Sequence, residues 1–118
     1  MIKSGIYVVE LINGPFYSNA HEPLPENQGT LLYKGDTKFG KSKNLELRYK
    51  NYLRTFGEGN FIFEPMIYTN NIDVIEKLIK LEVNKYRIVG IHKRRLEWLR
   101  DIKITHLKII VNKLKSYS

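Results

Sequence analysis

A short strand that ends in glycine, a basic turn and a helix together carry the side chains best suited to phosphate chemistry. Residues 38–48 read Lys-Phe-Gly-Lys-Ser-Lys-Asn-Leu-Glu-Leu-Arg, so Arg48 falls in the second turn of the expected helix. The planar guanidinium of an arginine can hold a phosphate oxygen. Residues 5–7, Gly-Ile-Tyr, begin an earlier strand and supply a phenol. The pattern predicts one half of a site that grips a phosphate.

Phosphodiester hydrolysis also needs an activated nucleophile and a cation for the charge that develops. One carboxylate can hold a single Mg²⁺, which otherwise prefers water and phosphate oxygens as ligands. A tyrosine hydroxyl near the metal can act as a general base or orient the attacking water. Taken singly, Tyr7 is equally typical of a core tyrosine on a strand, and Arg48 and Glu76 are typical of surface residues.

The order of these motifs resembles the GIY-YIG nuclease family. Residues 5–7 match the family's first motif literally. The second motif is usually Tyr-Ile-Gly, followed by a basic turn and a helix that carries an arginine. Residues 38–40 read Lys-Phe-Gly, which looks like the branch found in phages and large DNA viruses. The resemblance covers roughly residues 4–98.

The resemblance implies a role for each matching residue. Tyr7 takes the place of the general base, Arg48 binds the scissile phosphate, and Glu76 is the ligand of Mg²⁺ or Mn²⁺. Tyr52 lies four residues after Arg48, where many members have histidine or tyrosine, and is a second hydroxyl at the phosphate. Residues 97–99, Glu-Trp-Leu, resemble a Glu-Trp-Phe ending that is frequent in the viral branch.

Lys38 is the main departure from the family pattern. Its ammonium can contact a phosphate or lower the pKa of a neighbouring phenol. Alternatively, the substitution means that the usual mechanism of the family is altered, or Lys38 simply ends an edge strand. Lys41 and Lys43 are expected to contact the nucleic-acid backbone, or else only to solubilise the turn.

The net charge of +8 lies entirely in the last part of the chain, because residues 85–118 hold ten lysines and arginines against two acidic residues. A localised basic excess favours a polyanion partner such as DNA. A solvated basic helix that binds nothing is the alternative, and an acidic membrane surface is a weaker one. The residues expected to grip the DNA backbone include Lys93, Arg94, Arg95, Arg100, Lys103 and Lys108.

The hydrophobic periodicity predicts a single α+β domain over residues 1–118, with a small three-stranded antiparallel sheet flanked by helices in the order β-β-α-β-α-α. The long segment 13–29 reads as a loop, and a basic helix is expected at about 93–115, with a possible break near Asp101. The other expected elements are strands at 5–12, at 30–34 with 37–40, and at 61–68, and helices at 43–56 and 72–85.

Composition excludes several other kinds of site. The chain has no cysteine, so it has neither disulfides nor thiolate metal ligands. The spacing of His21, His92 and His106 matches no zinc pattern. Glu10 interrupts the first apolar run, which argues against a signal peptide, and no apolar run approaches the length of a membrane span. We expect an intracellular protein without a membrane partner.

The leading functional hypothesis is a metal-dependent DNA endonuclease that acts through one divalent cation, with weak intrinsic specificity, a structure-specific substrate or a partner that supplies specificity. A catalytically degenerate nucleic-acid-binding module is the second hypothesis. A small regulator that binds a protein, or forms a homodimer through its last helix, is the third. The sequence does not choose between DNA and RNA.

Overall fold

The computed structural model describes residues 3–18, 29–90 and 93–118, which form an α+β fold with three α-helices. The strands are β1 Gly5–Leu11, β2 Phe16–Tyr17, β3 Leu31–Leu32, β4 Thr37–Ser42, β5 Phe61–Tyr68, β6 Arg87–Val89 and β7 Arg95–Leu99. The helices are α1 Leu45–Phe56, α2 Ile72–Val83 and α3 Ile104–Lys113, with short 3₁₀ turns at Asn84–Tyr86 and Lys115–Tyr117.

Five of the strands form one sheet in the order β5-β1-β4-β7-β6, and its pairs are antiparallel. The pairing of β1 with β4 sets Tyr7 opposite Gly40 and Val9 opposite Lys38. Because alternate residues of a strand point to the same face, the side chains of Tyr7 and Lys38 leave the sheet on one side.

The sheet separates two hydrophobic clusters. Ile6 and Val8 point to the face covered by α2 and α3, whereas Tyr7, Val9 and Leu11 point to the face covered by α1. The periodicity of two in β1 therefore divides the core, and it assigns the phenol of Tyr7 to the same side as the helix that carries Arg48.

Local signals at both ends fix α1 in place. The side chain of Asn44 accepts a hydrogen bond from the backbone N–H of Leu47, which caps the first turn. The helix ends before Gly57, whose positive φ of 84° suits glycine. Leu45, Tyr52 and Phe56 form its buried stripe, so the rotation of the helix about its axis is set by packing.

The prediction of a three-stranded sheet is wrong, because β6 and β7 extend it to five strands. The expected helix at 93–115 is replaced by β7, a turn and the shorter helix α3. Within β7, Leu96 and Trp98 pack on the core while Arg95 and Glu97 are exposed, which is the period of a strand. The suspected break at Asp101 is confirmed, since its φ is 65°, but it separates a strand from a helix.

The predicted second strand is divided between two sheets. Residues of β3 pair with β2 in a separate two-stranded sheet, and the chain turns at Gly35, where φ is 92°, before β4 joins the main sheet. The expected loop at 13–29 contains β2, and its residues 19–28 lie outside the described part, as do His21 and His92. Strand β5 has the predicted bounds, and Pro65 lies in it on the edge of the sheet.

Candidate active site

Two buried tyrosines mark the centre of the site. Tyr7 on β1 and Tyr52 on α1 are 1% and 7% exposed. Their hydroxyl oxygens are 3.1 Å apart and share a hydrogen bond. The ring of Phe63 stacks on that of Tyr7 with centroids 4.7 Å apart. Tyr7 is therefore held on both sides, and its hydroxyl has a fixed position beneath α1.

The glycines of the two motifs are needed for packing. A Cβ built at Gly40 would lie 2.3 Å from the hydroxyl oxygen of Tyr7, and one at Gly5 would lie 2.0 Å from the carbonyl oxygen of Ile67. Real Cβ atoms do not approach other atoms so closely. Gly40 therefore makes room for the Tyr7 ring, and Gly5 lets β1 approach the irregular part of β5.

Lys38 lies on the same face of the sheet, between aromatic rings and a carboxylate. Its Nζ is 5.6 Å from the ring centroid of Tyr52 and equally far from that of Trp98, within the range of cation–π attraction. Nζ is also 3.7 Å from Oε2 of Glu97 on β7. The lysine is thus largely enclosed, with its side chain 18% exposed, while its carboxylate partner is open to solvent.

Arg48 completes the opening of this site. It is half-buried on α1, one turn before Tyr52, on the side of the helix that faces the sheet. A pocket of about 240 Å³ opens beside it. This volume is below the range of about 300–1,000 Å³ for drug-sized ligands, so it suits a small group such as a phosphodiester. The pocket is lined by Ser18, Lys38, Arg48, Asn51, Tyr52, Thr55, Phe56 and Trp98.

Burial keeps both phenols protonated. It raises the pKa of Tyr7, and it raises the pKa of Tyr52 well above the usual value, with the nearby Tyr7 adding to the second effect. The hydrogen bond from Tyr52 and the guanidinium of Arg48 work in the opposite direction on the pKa of Tyr7. Arg48, rather than Lys38, is therefore the cation with the largest influence on this phenol.

Burial and several charged residues influence the pKa of Lys38. Burial lowers its pKa, which the charge of Glu97 opposes and that of Arg48 reinforces. Glu76 on α2 also raises the pKa of Lys38. Charged groups from three other elements thus influence one ammonium.

Glu76 lies on α2, the helix that covers the opposite face of the sheet from Tyr7 and Lys38. Its side chain is 15% exposed, and Oε1 forms ion pairs with Lys41 at 3.4 Å and Lys80 at 3.8 Å. The described residues contain no group of three or more His, Cys, Asp or Glu side chains that could hold a metal. Mg²⁺ commonly binds through one or two carboxylates and retains several waters, so a larger set of ligands is not required.

The predicted DNA-binding residues are not gathered on one helix. Arg94 and Arg95 lie at the start of β7 and are exposed, as is Lys103 just before α3. The guanidinium of Arg95 donates a hydrogen bond to the carbonyl of Asn84 at 2.9 Å. Lys43 is exposed in the turn before α1, and its backbone contact with nucleic acid stays a prediction.

Arg100 has a structural contact that the sequence did not reveal. It donates to both carboxylate oxygens of Asp36, at 3.0 Å and 2.7 Å, and to the carbonyl of Leu31 at 3.2 Å. Its guanidinium also lies 5.1 Å from the ring centroid of Tyr33. Arg100 therefore ties the end of β7 to the turn between the two sheets, and its contact with nucleic acid stays a prediction.

Glu97 and Trp98 are site residues whose contacts sequence reasoning missed. From the sequence they enter only as part of a family ending, because the pattern of residues predicts a helix at about 93–115. The signal that was present is the alternation of apolar and charged residues at 95–99, which predicts a strand.

Among the described residues, no helix is long and apolar enough to cross a membrane.

Comparisons of the chain with models of protein families, with curated proteins and with solved structures find no match. The resemblance to the GIY-YIG nucleases therefore rests on the sequence motifs alone.

Proposed function

We propose that this chain is a metal-dependent DNA endonuclease of the GIY-YIG type that hydrolyses phosphodiester bonds with one divalent cation. The observation that carries the proposal is the convergence on one cleft of residues that are far apart in the chain. Tyr7 and Tyr52 share a hydrogen bond, while Lys38 and Arg48 line the adjoining pocket. The phenol of Tyr52 and two cations border a small opening, with Tyr7 buried behind Tyr52, and this arrangement suits the binding and polarisation of a phosphate group.

Arg48 is the residue we assign to the scissile phosphate. It is preorganised on a capped helix, and its planar fork can donate to two phosphate oxygens. Lys38 adds a second positive charge at the same opening. Because Glu97 already compensates part of that charge, a bound phosphate competes with this carboxylate for the ammonium.

Glu76 is the residue we assign to Mg²⁺ or Mn²⁺, which when bound supplies a Lewis acid for the charge that develops on the phosphate. Tyr7 is the candidate to orient the attacking water or accept its proton. Burial favours its neutral form, so in the free protein Tyr7 holds its proton and donates or accepts in the bond to Tyr52. Arg48 is the nearby charge that favours the phenolate.

Metal-dependent nicking of supercoiled plasmid DNA tests the assignment. We expect the wild type to nick DNA in Mg²⁺ or Mn²⁺ and Glu76→Ala to lose at least a hundredfold in rate, because the developing charge loses its cation. Glu82→Ala is the matched control, since Glu82 is exposed near the end of the same helix. Equal rates for the wild type and Glu76→Ala would remove Glu76 from the mechanism.

The burial of Tyr7 gives a second candidate function some support. A phenol that is 1% exposed and holds its proton is a poor base, as expected if the fold serves only to bind nucleic acid. That module would bind DNA without cleaving it in any divalent metal, and its affinity would fall steeply with salt. Binding assays at several salt concentrations, run beside the nicking assay, separate the two functions.

A further inference from the structure

A second opening, the aromatic groove, lies along α1 on the flank away from the pocket described above. Its volume is about 340 Å³, within the range of about 300–1,000 Å³ for small-ligand sites. Helix α1 contributes different residues to the groove and to the pocket, so the two openings flank one helix. The residues that line the groove include Lys3, Glu46, Tyr49, Phe63 and Tyr68.

Two tyrosine rings of the aromatic groove are exposed. Tyr68 at the end of β5 is 58% exposed, and Tyr49 on α1 is 41% exposed. Next to Tyr49, with ring centroids 5.5 Å apart, lies Phe63, which also stacks on Tyr7. Packed aromatic rings therefore connect the groove to the buried phenol of the candidate active site. Exposed aromatic rings are the surfaces on which unpaired bases stack in proteins that bind single-stranded nucleic acid.

The charge at the aromatic groove complements an anion. Nζ of Lys3 lies 4.6 Å from the ring centroid of Tyr68, and among the described residues no carboxylate forms an ion pair with Lys3. The one carboxylate of the lining, Glu46, is already paired with Lys50 at 3.7 Å. A nucleotide offers a flat aromatic face to the tyrosines and a phosphate to Lys3, whereas an apolar peptide would leave this ammonium uncompensated.

We propose that the aromatic groove binds one unpaired nucleobase of a DNA substrate, with Lys3 at an adjoining phosphate. The inference rests on the proposed function, because it names the substrate class of the same cleft as DNA with a single-stranded segment near the bond to be cleaved. A base inside a duplex is covered by its neighbours in the stack, so only an unpaired or extruded base can offer its face to a tyrosine.

Binding of single-stranded oligonucleotides in EDTA, measured by fluorescence anisotropy at one salt concentration, tests the proposal on the full chain. Two short probes carry the same label and the same number of phosphates, one with adenine at every position and one with every base removed. We expect the wild type to bind the base-containing probe on the order of tenfold more tightly, which is the scale of one base stacked on an aromatic ring.

Variants of Tyr68 assign this preference to the groove. Tyr68→Ala should lose most of it, whereas Tyr68→Trp keeps an aromatic face and should retain it. Tyr117→Ala is the matched control, since Tyr117 is 55% exposed and lies outside the groove, and urea midpoints check that each variant folds. The proposal is overturned if the wild type binds both probes equally, or if Tyr68→Ala keeps the preference of the wild type.

The same measurements distinguish this inference from the proposed function. A base preference that depends on Tyr68, in a protein that never nicks DNA, upholds the base-binding groove and rejects the endonuclease. Nicking that depends on Glu76, in a protein that binds both probes alike, upholds the endonuclease and rejects the base-binding groove.

Discussion

Replacing Gly40 with alanine tests whether the glycine of the second motif exists to accommodate Tyr7. The new Cβ would lie 2.3 Å from the hydroxyl oxygen of Tyr7 and 2.4 Å from its Cζ. The ring cannot easily move away, because Phe63 stacks on one face and Tyr52 holds the hydroxyl. Overpacking a core costs about 1–3 kcal/mol, and a lost buried hydrogen bond adds about 1 kcal/mol. We expect Gly40→Ala to lower the free energy of unfolding by about 2–4 kcal/mol.

Urea unfolding followed by the fluorescence of Trp98, the single tryptophan of the chain, measures this change. For an m-value near 2 kcal/mol/M, the midpoint should fall by about 1–2 M. Trp98 is buried against the aromatic cluster that surrounds the site, so its emission reports the loss of the packing in question. Under the proposed function the nicking rate should fall with it, because the phenol of Tyr7 is displaced from its position beneath α1.

A double-mutant cycle isolates the collision. Leucine at position 7 lacks the hydroxyl and Cζ atoms that alanine at position 40 would strike, so Gly40→Ala should cost less than about 1 kcal/mol in the Tyr7→Leu background. Gly59→Ala is the control, because that site is open but has a φ of +82°, and its backbone cost of about 1–2 kcal/mol should be the same in both backgrounds. An equal cost of Gly40→Ala with tyrosine or leucine at position 7 would refute the reasoning.

Two further predictions concern charge. Because burial raises the pKa of Tyr7 above its ordinary value, which is about 10, the unfolded chain loses this proton first, so stability should fall as the pH rises from about 10 through the folded pKa. In Tyr7→Phe, the urea midpoint should fall less steeply with pH than in the wild type. Parallel pH profiles of the two proteins would contradict this prediction. Arg100→Met leaves Asp36, whose side chain is 4% exposed, without its cation and should cost about 2–4 kcal/mol. Adding Asp36→Asn to Arg100→Met should recover part of this lost stability, as measured by thermal unfolding. If Arg100→Met left the stability unchanged, the structural role of Arg100 would be contradicted.

The elements that could be predicted from the sequence are those whose local pattern matches their tertiary environment. Helix α2 buries one regular apolar face, helix α1 has a side-chain cap at its start and a glycine at its end, and strand β5 is a short apolar run that follows two glycines. Strand β7 failed this test, because a basic stretch that contains leucine and tryptophan also suits a helix. It is a strand because β4 offers it a pairing edge, which is a fact about a distant part of the chain.

Some features of the candidate site could likewise be predicted from the sequence, and others could not. The roles proposed for Tyr7 and Arg48 followed from motif order, and the structure brings both to one face of the sheet. The partners of Lys38 could not be predicted, because Glu97 and Trp98 reach it only through the pairing of β4 with β7. Lys41 was expected to face nucleic acid, but its ammonium lies between two carboxylates of α2, which only tertiary packing could reveal.

The positive charges of Lys38 and Lys41 are partly compensated by ion pairs with carboxylates. Each lysine of the second motif has a carboxylate partner, Glu97 for the first and both Asp73 and Glu76 for the second. Among the described residues Arg48 forms no ion pair with a carboxylate, and it lines the pocket. Under the proposed function, a phosphate therefore meets the guanidinium of Arg48 first, and the lysines contribute only as their carboxylates are released. In this arrangement the lysine that replaces the second tyrosine does not simply add positive charge. Lys38 ties β4 to β7 through its ion pair with Glu97, and under the proposed function it binds the phosphate only when that ion pair breaks.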